Sequence, residues 1–225
     1  EKGATIRKPR PKVPGKTTYT DYKKGHKQIE NYFLQQEKLN PVNIQLMQAY
    51  SGQKYHAFNA VGRKFGNDIA LGNLPLLRHP SVFEKTLNSA GNVFRLIGPK
   101  AWKEKFIELK SFLSKTPDYV GKSFRGVRLK TKAELDSFLK RFSQDSIVET
   151  NGFWSTTNNR SVAKSFAGTD YRINIEIHGK TGTILNKFAR IQIEQEILFN
   201  VGTKFRVKSV KKGVLLDWDI VLEEI

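Results

Sequence analysis

Glu194 and Glu196 stand two residues apart in the segment IQIEQEILFNVGTKFRV, Ile191 to Val207, and the apolar run Ile197-Leu198-Phe199 follows at once. In an extended strand residues i and i+2 share a face. The spacing therefore predicts two carboxylates addressing one small volume from the lip of a buried strand. Such a pair suits chemistry in which positive charge develops: one carboxylate stabilises a cationic transition state while the other accepts a proton. Two solvated glutamates at a strand start would leave the same trace, since charged side chains are mostly exposed. Asn200 to Thr203, with Gly202, reads as a turn, and Lys204 begins a second β run.

Two other segments carry groups that could serve the same site. Ser123-Phe124-Arg125-Gly126-Val127-Arg128 sets a guanidinium inside a hydrophobic strand. Burying it is costly without an anion, which a phosphate or carboxylate ligand would supply; taken alone, an edge-strand arginine facing solvent is the commoner case. Gly152-Phe153-Trp154-Ser155-Thr156-Thr157 is an aromatic strand ending in three hydroxyls. These can orient a neighbouring carboxylate and cap the helix expected near Arg160, although the β propensity of Thr and ordinary capping explain the same residues. Phe166 falls at the end of that helix, where a core role is the commoner one. A second carboxylate pair, Asp217 and Asp219 around Trp218, has no hydroxyl partners nearby and reads as structural. The four histidines, His26, His56, His79 and His178, show no metal-ligand spacing, and no metal site is expected. The absence of cysteine excludes disulfides, zinc–thiolate sites and a cysteine nucleophile.

The elements that must hold these groups divide into two kinds. Residues 1–18 are basic and Pro-rich and read as a linker. Gly15-Lys16-Thr17 is not the end of a phosphate loop, because Arg10 occupies the position that needs glycine and no strand precedes it. Residues 19–116 read as a helical lobe. Thr20 or Asp21 caps a helix through about Leu39, and Asn40-Pro41 opens a second with Ile44, Met47 and Tyr50. Tyr55 to Ile69 and Ser81 to Ala90 continue the helical pattern, and Pro99 opens a last helix with the stripe Trp102, Phe106, Leu109 and Leu113. Residues 117–225 read as short strands: Tyr119–Leu129, Ser146–Glu149, Phe153–Thr157, Arg172–Ile177, Thr183–Leu185, Glu196–Phe199, Lys204–Val210 and Val214–Leu222. Thr131 with Glu134 marks a capping box between the first two. The fold class is α+β, a helical N-terminal lobe packed on a two-sheet β core of short mixed strands, with 19–225 forming a single domain.

Thirty-nine lysines and arginines against 21 acidic residues give a net charge of +18. That field attracts nucleic acid, an acidic protein face or a phosphate-bearing small molecule, but no zinc-finger spacing or RNP-like aromatic run is present. No apolar run approaches the ~20 residues of a membrane span. No signal-peptide core is visible at the N-terminus, and a start at Glu1 is what a fragment of a longer protein would show.

In chain order, aromatic-Arg-Gly, then Ser-Thr-Thr, then Glu-x-Glu resembles the mono-ADP-ribosyltransferases of the Arg–Ser–Glu class, which includes clostridial binary toxins and vertebrate arginine-specific enzymes. The resemblance runs from Trp102 to Ile225 and is most specific in EQEILFNVGTKFRV, next in FWSTT with Phe166 eleven residues after Ser155, and least in SFRGV. It implies the ADP-ribosyltransferase fold, NAD as co-substrate and no metal. By the same resemblance Arg125 and Thr156 bind NAD, the Gly126 backbone holds the nicotinamide amide, and Phe166 walls the nicotinamide pocket. Ser155 orients Glu196, Glu196 stabilises the oxocarbenium ion, and Glu194 activates the acceptor. Asn186 to Ile193 is the loop that meets the target, with Phe188 its exposed aromatic and Arg190 beside it. Glu at the first position of the pair goes with a protein arginine as acceptor, in a bacterial toxin or effector secreted or delivered into a target cell as part of a larger protein. That setting leaves room for a cognate immunity protein. The motif departs from the family in ending at Thr157 rather than Ser, and Ala189 to Ile193 is unusually basic and apolar. Three alternatives stay open: the same chemistry on nucleic acid, NAD hydrolysis, and a non-catalytic basic binding module.

Overall fold

Asp21 starts the first helix. Its extended backbone lets the carboxylate accept a hydrogen bond from the Lys24 N–H at 2.9 Å, satisfying one of the donors a helix start leaves unpaired. The computed structural model describes residues 16–51, 58–59, 99–185, 188–189, 192–214 and 216–225, with the backbone alone over 99–102. The helices predicted over Tyr55–Ile69 and Ser81–Ala90 lie outside these residues, apart from Phe58 and Asn59.

Ahead of Asp21, Thr18–Tyr19 forms a two-residue strand, β1, beside an ion pair between Lys16 and Asp118 at 2.7 Å. The end of the expected linker is thus docked on the core. Helix α1 (Tyr22–Leu39) buries Gly25, Ile29 and Phe33 on one face. Helix α2 (Pro41–Ala49) begins at the predicted Asn40-Pro41, but Asn40 makes no side-chain cap bond; the proline ring, with its fixed φ and no N–H to satisfy, suits the first turn without one. Helix α3 (Pro99–Lys115) buries Phe106, Leu109 and Leu113. The side chain of Trp102 is outside the described residues.

The strands follow: β2 (Asp118–Leu129), β3 (Ile147–Glu149), β4 (Trp154–Thr157), β5 (Tyr171–Ile184), β6 (Glu196–Phe199), β7 (Lys204–Lys212) and β8 (Asp217–Glu224). Between them lie α4 (Lys132–Arg141), with the predicted Thr131/Glu134 capping box formed in both directions, and α5 (Arg160–Ala167). The two runs expected at 172–177 and 183–185 are one 14-residue strand, β5. The last strand starts later than Val214, because Gly213 and Val214 turn back on Asp217 through backbone hydrogen bonds.

The sheet order is β1-β2-β4-β6-β5-β8-β7-β3, with β2 also paired to β5. The two sheets of the expected core are therefore one hydrogen-bonded network. Its segment β2–β4–β6–β5 closes on itself, because β5 is long enough to run antiparallel to β2 and still reach β6 through Thr183 and Ile184. Ile173, Ile175 and Ile177 alternate into the core along β5, joined by Ile197, Leu198, Phe199, Ile220 and Leu222. The helical lobe is locked to this core by aromatic contacts. Phe106 lies 4.9 Å from Phe153, and the Tyr50 hydroxyl donates to the Phe153 carbonyl at 3.1 Å. The strand bearing the three hydroxyls thus has its entry fixed by the lobe.

Candidate active site

The β4–β6 ladder builds the centre of the site. Thr157 pairs with Glu196 and Ser155 with Leu198, so Ser155 and Glu196 are same-face diagonal neighbours. The Ser155 hydroxyl hydrogen-bonds the Glu196 carboxyl group. Phe124 pairs with Thr157 and brings β2 alongside. The Arg125 guanidinium donates to the Ser155 carbonyl and lies 5.6 Å from the centre of the Trp154 ring. One short stretch of antiparallel sheet thereby gathers Arg125, Ser155 and Glu196, three residues that the sequence motifs single out.

Glu196 is 4% exposed. Burial pushes its carboxyl up to about 7; the Ser155 hydrogen bond and the Arg125 charge pull it down, and the Glu194 charge pushes it further up. Desolvation disfavours the charged form of an acid, so it outweighs the two favourable partners here. A carboxyl poised near neutrality can be ionised or protonated with little work, which suits a group acting on a transient cation.

Glu194 departs from the expected geometry. It is not on the strand with Glu196 but ends a short 3-10 turn, Gln192–Glu194. Gln195 between them has φ +46°, an uncommon conformation for a residue with a side chain. The chain therefore turns between the two glutamates, and the i, i+2 argument from an extended strand does not hold. The carboxylates still sense one another, as the Glu196 shift records. Glu194 is only part-buried, and its own carboxyl is raised by burial. One carboxylate is enclosed and the other is part-exposed.

The remaining predicted positions differ in their surroundings. Thr156 is buried, and its hydroxyl donates to the Ile197 carbonyl at 2.7 Å, where it ties β4 to β6. The Thr157 hydroxyl accepts from the Asn159 N–H, and Asn159 itself caps α5. Phe166, in the last turn of α5, is 55% exposed, so the fold leaves its ring uncovered. Phe188 is not the exposed aromatic that the family resemblance implies. It is 5% exposed, with its ring 5.3 Å from that of Phe33 on α1. Arg190 lies outside the described residues. The exposed apolar residue next to Glu194 is Ile193, at 80%, whose only sequence signal was its place in a basic, apolar segment. Asp217 and Asp219 are structural, paired across β5 with Arg172 and Asn174.

Gly126 has a role that the sequence did not reveal. A Cβ built there would lie 1.9 Å from the Ala163 carbonyl oxygen and 2.6 Å from the Ala167 nitrogen. Only glycine lets β2 pass this close to α5, and both obstructing atoms are backbone, with no side chain to swing aside. Gly126→Ala is expected to lower stability by about 1–3 kcal/mol or more, the range for an overpacked core. Urea unfolding measures the loss; a midpoint unchanged from wild type would contradict the contact.

An enclosed carboxylate poised near neutrality, a serine orienting it, a second, part-exposed carboxylate two residues away and a guanidinium on the neighbouring strand suit an enzyme of glycosyl transfer, acting on an anionic substrate through a cationic sugar. The chain matches the model of the ADP-ribosyltransferase exoenzyme family over residues 25–219 and belongs to that family, the bacterial NAD-dependent mono-ADP-ribosyltransferase toxins and effectors. Solved structures share the fold. The Vis ADP-ribosyltransferase of Vibrio splendidus, in complex with the M6 inhibitor, aligns with TM-score 0.60 at 16% identity, covering 92% of this chain and 86% of its own. HopU1 of Pseudomonas syringae pv. tomato DC3000 aligns with TM-score 0.60 at 14% identity, covering 92% and 88%. Exoenzyme S of Pseudomonas aeruginosa, solved with human 14-3-3 protein beta and carba-NAD, aligns with TM-score 0.57 at 18% identity, covering 81% and 73%. No curated protein sequence matches the chain.

Proposed function

We propose that this protein transfers ADP-ribose from NAD to an arginine side chain of a target protein and releases nicotinamide. The observation that carries the reading is the burial of Glu196 with Ser155 hydrogen-bonded to it and the part-exposed Glu194 in the turn just before it. Cleavage of the bond between the ribose and nicotinamide leaves a cationic sugar, and nicotinamide departs with the electron pair. Glu196 in its ionised form faces that cation and holds the adjoining ribose hydroxyl; fixed charge in a dry site stabilises a transition state strongly. Ser155 keeps the carboxylate aimed, and Arg125 answers the pyrophosphate of NAD, the anionic part of the substrate. The Gly126 backbone contacts the nicotinamide amide, and the uncovered ring of Phe166 packs on nicotinamide. Glu194 takes the proton from the incoming guanidinium, a poor nucleophile while protonated. Ile193 is the contact that the loop offers the target protein. Thr156 serves NAD binding indirectly, by fixing β4 to β6.

The charge of +18 favours a second acceptor class, nucleic acid. One experiment separates the readings: incubation with labelled NAD and a cell lysate, followed by mapping of the label. Label on arginine in protein supports the proposal. Label on nucleic acid, with steep loss of activity as salt rises, supports the second acceptor. Release of free ADP-ribose alone identifies an NAD hydrolase, and no NAD consumption identifies a binding module. Toxins and effectors of this family act after delivery into another cell, and the same lysate experiment tests whether such a target exists. A cognate immunity protein, if made, would have to cover Glu194 and Ile193 to block the acceptor.

A further inference from the structure

Gln195, between the two glutamates, is an exposed glutamine with φ +46°. Among the described residues one other non-glycine residue has a positive φ, Asp145, and aspartate is a type whose short polar side chain tolerates that conformation. Glutamine is not of that type, and its Cβ crowds the following carbonyl oxygen. A strained backbone of this kind persists only where its surroundings over-determine it.

Two backbone hydrogen bonds do so here. Thr157 pairs with Glu196 in the β4–β6 ladder, so Asn158 and Gln195 are next in register. The Asn158 N–H donates to the Gln195 carbonyl at 3.1 Å, which carries the ladder one bond further. In a regular antiparallel pair the Gln195 N–H would return the bond to Asn158. It donates instead to the Gln192 carbonyl at 3.1 Å, closing the 3-10 turn that ends at Glu194. The carbonyl of Gln195 thus belongs to the sheet and its N–H to the turn. The rotation φ about its N–Cα bond is what reconciles the two. An extended φ would send Glu194 back onto the strand, on the same face as Glu196.

We infer that Gln195 is a positioning residue for the acceptor step: its backbone, at positive φ and clamped by the Asn158 N–H, holds Glu194 off the β6 strand, and the preference for arginine over water as the attacking group depends on that turn. The inference rests on the proposed arginine acceptor. It assigns the role to the backbone of Gln195 and not to its amide, which belongs to an exposed side chain. The residue types that permit the turn are then those that accept a positive φ. Glycine does so freely and asparagine more readily than most, whereas a β-branched valine is a true outlier there.

The series Gln195→Gly, Gln195→Asn and Gln195→Val tests this; the position is exposed and outside the core, so all three should fold. Two rates are measured for each protein: transfer of label from NAD to free arginine, and release of nicotinamide without acceptor. In Gln195→Val the ratio of transfer to release should fall by roughly 10- to 100-fold, the scale of a misplaced catalytic group. In Gln195→Gly and Gln195→Asn it should stay within a few-fold of wild type, although one variant deletes the side chain and the other shortens it. An unchanged ratio in Gln195→Val overturns the inference, with or without a uniform loss of rate. An equal loss in Gln195→Gly also overturns it, because the amide would then carry the role. A second readout needs no substrate. Hydrogen exchange of the Asn158 amide should be slow in wild type and in Gln195→Gly and faster in Gln195→Val; one rate in all three overturns the inference. If wild type transfers nothing to arginine, the proposed function fails, and the exchange of Asn158 still decides whether Gln195 holds the turn.

Discussion

In Glu196→Gln, NAD hydrolysis and ADP-ribose transfer fall together by roughly 10²–10³ or more, and the protein becomes more stable above pH 7. The loss of rate follows from the removal of a fixed negative charge beside a cationic sugar; the amide keeps the size and a hydrogen bond to Ser155 but not the charge. The gain in stability follows from burial. The Glu196 carboxyl is held at about 7 in the fold against 4.5 for an unperturbed glutamate. The folded state then binds the proton more tightly than the unfolded chain does. Its contribution is fully present below pH 4.5, declines as pH rises through 7, and is lost above that. The decline amounts to about 3 kcal/mol. Glutamine is neutral throughout and escapes it. Urea unfolding of both proteins at pH 4 and pH 8 should give a small difference at the lower value and an advantage of about 3 kcal/mol for the variant at the higher. Other titrating groups cancel in this difference. Equal stability at pH 8 would mean that Glu196 is not strained by burial. Hydrolysis near the wild-type rate in the folded variant would remove it from the chemistry.

Local signals in the sequence located the parts of the site that depend on local structure. The capping box at Thr131 and Glu134, the cap at Asp21, and the run of hydroxyls before α5 are short-range patterns, and the chain realises them where they occur. The adjacency of Ser155 to Glu196 was implied by the family resemblance that the motif order carries, and the β4–β6 pairing supplies it. What failed depends on neighbours distant in sequence or on a single unusual dihedral. The family resemblance implied an exposed Phe188, but Phe33 from the helical lobe covers it. The close pass of Gly126 against Ala163 and Ala167 needs the packing of α5 on β2, which no spacing rule contains. The extended strand assumed for both glutamates was broken by one residue, Gln195, in a conformation that side-chain type does not predict.

That turn is the basis for separating the two glutamates. If both lay on one strand face, replacing either would disturb the same volume. Here Glu196 is enclosed and Glu194 is part-exposed, beside exposed Ile193 and clear of the β4–β6 ladder. Cleavage of NAD needs the enclosed charge. Attack by arginine needs, in addition, a base to take a proton from the guanidinium, whereas water reaches the cationic sugar with less help. Glu194→Gln should therefore lose arginine modification by about 10²–10⁴, the range for a general base, while nicotinamide release without acceptor stays within a few-fold of wild type. Removing the Glu194 charge also relieves its repulsion of Glu196, so the rise of NAD hydrolysis with pH should move to lower pH in the variant. The measurement is paired: nicotinamide released in the absence of acceptor, and label incorporated into an arginine-containing target. If both activities fall together, Glu194 serves NAD binding. If neither falls, the acceptor is not arginine, and a nucleic-acid acceptor becomes the better reading of the +18 charge.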